Sequence, residues 1–190
     1  MMSGIVYRLY EGRTVAGQLD AFLPVYEEVY AEPPYSEGPE DIAEFVEHFR
    51  VHARRAGIRL VLAREAGEVV GFAYGYLLAP DTRWWANVQE PLPGDFTWED
   101  GTRTWVVIEL GVRKPWRRRG IAGGLHDRLL EGLVVERVTL TVRPEPEAAP
   151  ARAAYRSWGY RRVGRSHPWD GAPCYDAMVR EIGPPCAEAP

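Results

Sequence analysis

Apolar residues recur at helical spacing in several stretches of this chain and at strand-like density in others. Val15, Leu19, Phe22, Leu23, Tyr26, Val29 and Tyr30 mark one amphipathic face, and Pro24 in its middle predicts a bent or split helix. A proline-rich acidic loop follows at 31–38. Pro39 suits the first turn of a second helix, whose buried face is Ile42, Phe45, Val46, Phe49 and Ala53. Residues 5–9 predict a first strand, and 59–64 and 69–77 two more, joined as a hairpin through Glu65-Ala66-Gly67-Glu68. Gly71 and Gly75 interrupt the third strand, which implies a bulge or a close approach by another group.

The clearest pattern begins at Trp105. A β-branched and aromatic run ends in Gly111-Val112-Arg113-Lys114-Pro115, and Ile121, Leu125, Leu129 and Leu133 then fall four apart, so strand, basic turn and helix follow in order. Residues 137–142 predict another strand. Pro150 opens a helix with Ala151, Ala154, Tyr155 and Trp158 on one face, and Gly159 closes it. Residues 160–164 and 175–180 predict a final strand pair around Asp170-Gly171. The irregular stretch 79–102, with Trp84, Trp85 and Trp98 among acidic residues, either covers a sheet face or binds substrate.

Composition narrows the class. A chain of 190 residues predicts one domain over 1–182 followed by a flexible tail at 183–190. With 46% hydrophobic and 26% charged residues and no long apolar run, it reads as a cytoplasmic globular protein with no membrane segment. A net charge of −4 argues against a general nucleic-acid binder. Cys174 and Cys186 cannot build a disulfide framework, and His48, His52, His126 and His167 lack metal-ligand spacing, so no metal is expected.

Positive charge is concentrated where the helix after Trp105 begins. Unpaired N–H groups, the helix dipole and guanidinium groups converge there, which suits a phosphate or pyrophosphate. The familiar nucleotide loops are absent: no Gly-x-Gly-x-x-Gly follows the strand and no Gly-Lys-Ser/Thr occurs. Val112, then Arg117-x-x-Gly120-x-Ala122 with Gly123 directly after, resembles the coenzyme A pyrophosphate loop of the GNAT superfamily of acyl-CoA-dependent N-acetyltransferases. Pro115 lies one residue later than is common in that family. Tyr155-Arg156-Ser157-Trp158-Gly159-Tyr160 matches the family's Tyr-x-x-x-Gly-Phe/Tyr segment, and Ala148 stands where many members have asparagine.

The resemblance extends over nearly the whole chain. It implies an α/β fold with a single domain and a central mixed, mostly antiparallel sheet, its central strands splayed and flanked by helices. It implies acetyl-CoA as co-substrate, bound by the strand end at Leu110 and Val112 and by the loop residues Arg117, Arg118, Arg119, Gly120, Ala122 and Gly123. Tyr155 becomes the acid that protonates the departing thiolate. Glu109, in an apolar strand three residues before Val112, is the candidate base, acting directly or through water, with pairing to an arginine on the same sheet face as its structural alternative. The acceptor would be a primary amine of a small molecule or peptide, walled by the acidic 32–37 loop and the tryptophan-rich stretch. A noncatalytic acyl-CoA-binding module and an RNA- or ribosome-interacting protein remain as alternatives, and the sequence leaves a homodimer open.

Overall fold

A computed structural model describes residues 4–183; the segment from 184 onward, Cys186 included, and the first three residues lie outside the described residues. The β-branched and aromatic runs form β1 (Val6–Glu11), β2 (Arg59–Glu65), β3 (Glu68–Leu77), β4 (Thr104–Val112), β5 (Arg137–Val142), β6 (Arg161–Ser166) and β7 (Tyr175–Glu181). They hydrogen-bond in the order β1-β2-β3-β4-β5-β7-β6 as a seven-stranded sheet. The sheet is mixed: β4 and β5 run parallel, while β1 with β2, β2 with β3, β5 with β7 and β6 with β7 are antiparallel. The helices are α1 (Leu19–Tyr30), α2 (Pro39–His52), α3 (Gly94–Thr97), α4 (Ile121–Leu130) and α5 (Ala149–Ser157). No helix among the described residues is long and apolar enough to cross a membrane.

Contacts divide the chain into two compact units. The first takes the residues up to Tyr76 together with Val107–Gly132, and the second takes Leu77–Val106 and the chain from Leu133 onward.

In the first unit, α1 is continuous through Pro24, and the expected break falls before it, where 3-10 turns at Gly12–Thr14 and Ala16–Gln18 precede Leu19. The core is largely aromatic. Phe22 stacks on Phe72 at 4.8 Å between centroids, Tyr26 on Phe45 at 3.6 Å and Tyr26 on Tyr30 at 4.3 Å. Pro39 opens α2, and the Gly38 N–H donates to Asp41 Oδ2 at 2.8 Å. The β2–β3 turn places Ala66 and Gly67 at φ +48° and +88°, the hairpin geometry that favours glycine.

Both expectations for Gly71 are met. The β2 register skips Val70, a bulge beside it, and a Cβ on Gly71 would lie 3.0 Å from the Gly111 carbonyl oxygen. Helix α4 lies against β1 and β2, with Ile121, Leu125 and Leu129 buried. It stops at Leu130, short of Leu133, because Gly132 turns to φ +70° and Arg59 Nη1 donates to the Leu129 and Glu131 carbonyls.

In the second unit, Trp105, Val106, Val138, Leu140, Met178 and Val179 form the core. Arg137 and Glu99 are buried together, 2.9 Å apart, and the guanidinium lies 4.7 Å from the Trp85 ring centroid and 4.2 Å from that of Phe96. Arg137 Nε also donates to Thr104 Oγ1 at 2.8 Å, and Trp85 Nε1 to Glu99 Oε1 at 2.7 Å. A buried charge is tolerated only when paired and hydrogen-bonded in this way. The irregular stretch after β3 is therefore anchored by an interior ion pair.

Candidate active site

The connection from β4 to α4 holds no side-chain cap. After Val112 the chain makes a 3-10 turn over Lys114–Trp116, with Pro115 in its first positions. Arg117 Nε closes it by donating to the Val112 carbonyl at 2.9 Å. Arg118 then takes φ +61° and Gly120 φ +78°. For arginine this left-handed conformation costs roughly 1–2 kcal/mol; for glycine the steric cost is absent. Gly120 is the N-cap of α4 and supplies no capping oxygen. No acceptor among the described residues takes the backbone N–H groups of residues 118–123. A Cβ built on Gly120 meets no atom within 4 Å, so the space above the loop is open. Unpaired donors at the positive end of a helix suit an anion.

Ala122 and Gly123 lie half-buried in the first turn of α4. Gly124 has a different reason for being glycine: a Cβ there would come within 2.3 Å of the Tyr7 ring, so it lets α4 approach β1. Leu110 and Val112 lie past the three residue pairs, Thr104 to Val106, that join β4 to β5.

The arginines divide by partner. Arg113 pairs with Glu28 and Glu68, and Arg119 Nη2 with Glu65 Oε1 at 2.6 Å. Arg117 forks onto both oxygens of Glu32, at 2.8 and 2.9 Å, and holds that carboxyl below its usual range. Arg118 and Lys114 have no carboxylate partner among the described residues. Free charge at the loop thus comes from Arg118 and Lys114, a division that sequence spacing does not reveal.

Glu109 sits upstream on β4, half-buried, and accepts a hydrogen bond on Oε2 from the Tyr30 hydroxyl. It makes no ion pair among the described residues, so the arginine partner considered from sequence is not found there. Burial pushes its carboxyl up to about 8; the Tyr30 hydrogen bond opposes this and the charge of Glu37 adds to it. Glu37 accepts from the Tyr26 hydroxyl at 2.8 Å and is itself pushed up, first by burial and then by Asp41 and Glu44. Tyr26, Tyr30 and Tyr74 are all held protonated by burial and by the nearby Glu109 charge. Tyr35 completes the surround, its ring 4.8 Å from that of Tyr30. The aromatic face of α1, which periodicity assigns to the core, thus also carries the hydroxyl that orients the carboxylate.

This environment predicts a pH-dependent stability. The folded chain holds the Glu109 proton up to about pH 8 while the unfolded chain loses it near the ordinary glutamate value, so stability falls as pH rises between the two. Glu109→Gln removes the titrating group. The variant should gain stability relative to wild type as pH is raised from about 4.5 to 8, and the gap should level off above that. Urea unfolding at several pH values reads this out, and a constant gap would contradict it.

In the second unit Tyr155 is half-buried near the end of α5. Gly159 turns to φ +91°, the Tyr160 N–H returns to the Tyr155 carbonyl at 3.0 Å and the Gly159 N–H to that of Arg156 at 3.0 Å, which is a Schellman cap. The Tyr155 and Tyr160 rings lie 5.8 Å apart, supplying the cap's apolar contact. The Tyr-x-x-x-Gly-Tyr spacing is therefore a helix stop that fixes the Tyr155 backbone. Ala151, expected on the same face, is exposed, and Arg152 turns inward instead, donating to the Arg143 and Glu145 carbonyls.

The three tryptophans of the irregular stretch differ in role. Trp85 is buried against Glu99, Trp84 Nε1 donates to Thr139 Oγ1 at 3.1 Å, and Trp98 is 61% exposed. Only Trp98 presents a large free face. Among the histidines, His52 lies half-buried with Nδ1 3.1 Å from the Tyr74 hydroxyl, and burial lowers it to about 4. No group of three His, Cys, Asp or Glu side chains among the described residues could hold a metal.

Comparison with known proteins bears on the family and the fold. The model of the acetyltransferase (GNAT) family matches residues 20–160. No curated protein matches the sequence. Solved structures do match in fold. One described as histone acetyltransferase HPA2 and related acetyltransferase, from Corynebacterium glutamicum, is 16% identical, covering 100% of both chains with a TM-score of 0.62. The ribosomal-protein-S18-alanine N-acetyltransferase of Escherichia coli is 15% identical over 97% of this chain and 99% of its own, with a TM-score of 0.61. The PaiA N-acetyltransferase of Thermoplasma acidophilum, in complex with coenzyme A, is 13% identical over 94% and 99%, with a TM-score of 0.59.

Proposed function

The chain belongs to the GNAT acetyltransferase family, and we propose that it moves an acetyl group from acetyl-CoA to a primary amine of a small molecule or peptide by direct attack in a ternary complex. The observation that carries this reading is one continuous strand-loop-helix. It has a carboxylate of raised pKa on β4 and unpaired backbone donors at the start of α4.

The N–H groups of residues 118–123 suit the pyrophosphate, with Arg118 and Lys114 adding charge, and the backbone of Leu110 and Val112 suits the pantetheine amides. An alkylammonium has a pKa of about 10.4, so passing its proton to an ordinary carboxylate costs about 8 kcal/mol, and to one near 8 only about 3 kcal/mol. Glu109 takes that proton. The freed nitrogen attacks the thioester carbonyl, the carbon–sulfur bond breaks, and Tyr155 protonates the departing sulfur. The second nitrogen proton is lost to water as the amide forms, Tyr155 is restored from water, and Glu109 returns its proton to water. Glu37, Tyr26, Tyr30 and Tyr35 support a cationic acceptor, because carboxylates beside aromatic rings attract an ammonium.

Calorimetry with acetyl-CoA tests the binding half. Gly120→Val should weaken affinity at least about tenfold while the protein stays folded, because a β-branched side chain resists the left-handed conformation and fills the space above the loop. Unchanged affinity in a folded variant would place the cofactor elsewhere.

A further inference from the structure

Arg117 belongs to the loop motif, yet its side chain faces away from that work. Nε is held by the Val112 carbonyl, and the two terminal nitrogens by the two oxygens of Glu32. Turning to a pyrophosphate would break a bidentate charged pair, whereas the backbone donors of residues 118–123 are already available.

Glu32 is equally committed on its own side. It lies just after α1, and its carbonyl accepts the N–H groups of Tyr35 and Ser36, each at 3.1 Å. That turn delivers Tyr35 to the Tyr30 ring. It also delivers Glu37, whose N–H donates to the Tyr30 carbonyl at 2.9 Å and whose carboxylate receives the Tyr26 hydroxyl. Tyr30 in turn donates to Glu109. A line of direct contacts therefore runs from the end of β4 through Arg117 and Glu32 to the groups surrounding the candidate base.

We infer that Arg117 is a positioning residue for the acceptor side, pinning the 32–37 loop to the end of β4 through Glu32, and is not a ligand of the cofactor phosphates. The inference rests on the acetyltransferase reading for what the loop does, but the clamp itself is a property of the free chain. A loop left loose has to be ordered when the acceptor binds, and that ordering cost weakens acceptor binding. A fork of two hydrogen bonds holds a loop in one place better than a single bond does.

The test compares Glu32→Gln, Arg117→Gln and the double variant with wild type, using coenzyme A as the probe. Amide hydrogen exchange at Tyr35, Ser36 and Glu37 should quicken about three- to tenfold in each single variant, and the double variant should be no faster than either, as for two ends of one interaction. Coenzyme A affinity should stay within about threefold throughout. With the fastest amine from a panel screen, the acceptor KM should rise about five- to tenfold while kcat holds, a split that general loosening of the fold would not give.

Unchanged exchange at those amides would overturn the inference, as would a tenfold or larger loss of coenzyme A affinity confined to Arg117→Gln. Exchange quickening as expected in a chain that binds no coenzyme A would leave the clamp standing and sink the acetyltransferase reading instead.

Discussion

Glu109→Gln should lower kcat/KM for the amine roughly 10²–10³-fold, within the range of positioned general bases, while acetyl-CoA affinity is retained. The pH profile carries the sharper signature. In wild type ionised Glu109 frees the lone pair of the bound ammonium, so the rate should rise with pH and level off near 8. Without the carboxylate only the free amine reacts. The variant's residual rate should then keep climbing through pH 8 toward the amine pKa. Stopped-time assays across pH 6–10 would separate the two curves, and a variant that still levels off near 8 would move the base to another group.

Tyr155→Phe should lower kcat by about 10²–10⁴-fold with little change in acetyl-CoA affinity, because the hydroxyl acts on charge that develops only as the sulfur departs. The Schellman cap that ends α5 does not depend on the hydroxyl. The cap uses the Tyr155 carbonyl and ring, both kept by phenylalanine, so the helix end and the Tyr160 contact should survive. Acceptors are expected to respond differently according to how much they need the acid. A phenylalanine variant that turns over like wild type would leave Tyr155 as a capping residue alone.

The strand-turn-helix around Val112 and Gly120 was legible from sequence because each of its signals is local: β-branched density, then a basic turn, then apolar positions four apart. The same holds for the hairpin at Gly67 and for β5, whose bounds match the expectation. Local signals also misled. Leu133 continues the apolar spacing of α4, but Gly132 and the Arg59 hydrogen bonds to the last carbonyls end the helix sooner. Ala151 keeps the spacing of α5 and is nevertheless exposed.

What remained hidden were contacts between residues distant in sequence. Periodicity places Tyr30 on the buried face of α1, but its hydroxyl meets Glu109 across 79 positions. The pairing of Arg117 with Glu32 spans 85 positions and that of Arg137 with Glu99 spans 38. None of these has a spacing rule, since each follows from which strand lies beside which helix. The charge of a loop can be read from its own residues, whereas the direction in which each charge is spent depends on the fold around it.

Thiol release from acetyl-CoA measures acetyl transfer to an amine directly. A panel of alkyl monoamines, diamines, amino sugars and short peptides with free N-termini should be offered to wild type and to Glu109→Gln. With at least one member, wild type should release free coenzyme A in an amine-dependent reaction, stoichiometric with acetylated amine and reduced about 10²-fold or more by the substitution. Tight binding of acetyl-CoA with no amine-dependent thiol release across the panel would contradict acetyl transfer, and would mark the chain as a protein that binds the cofactor without using it.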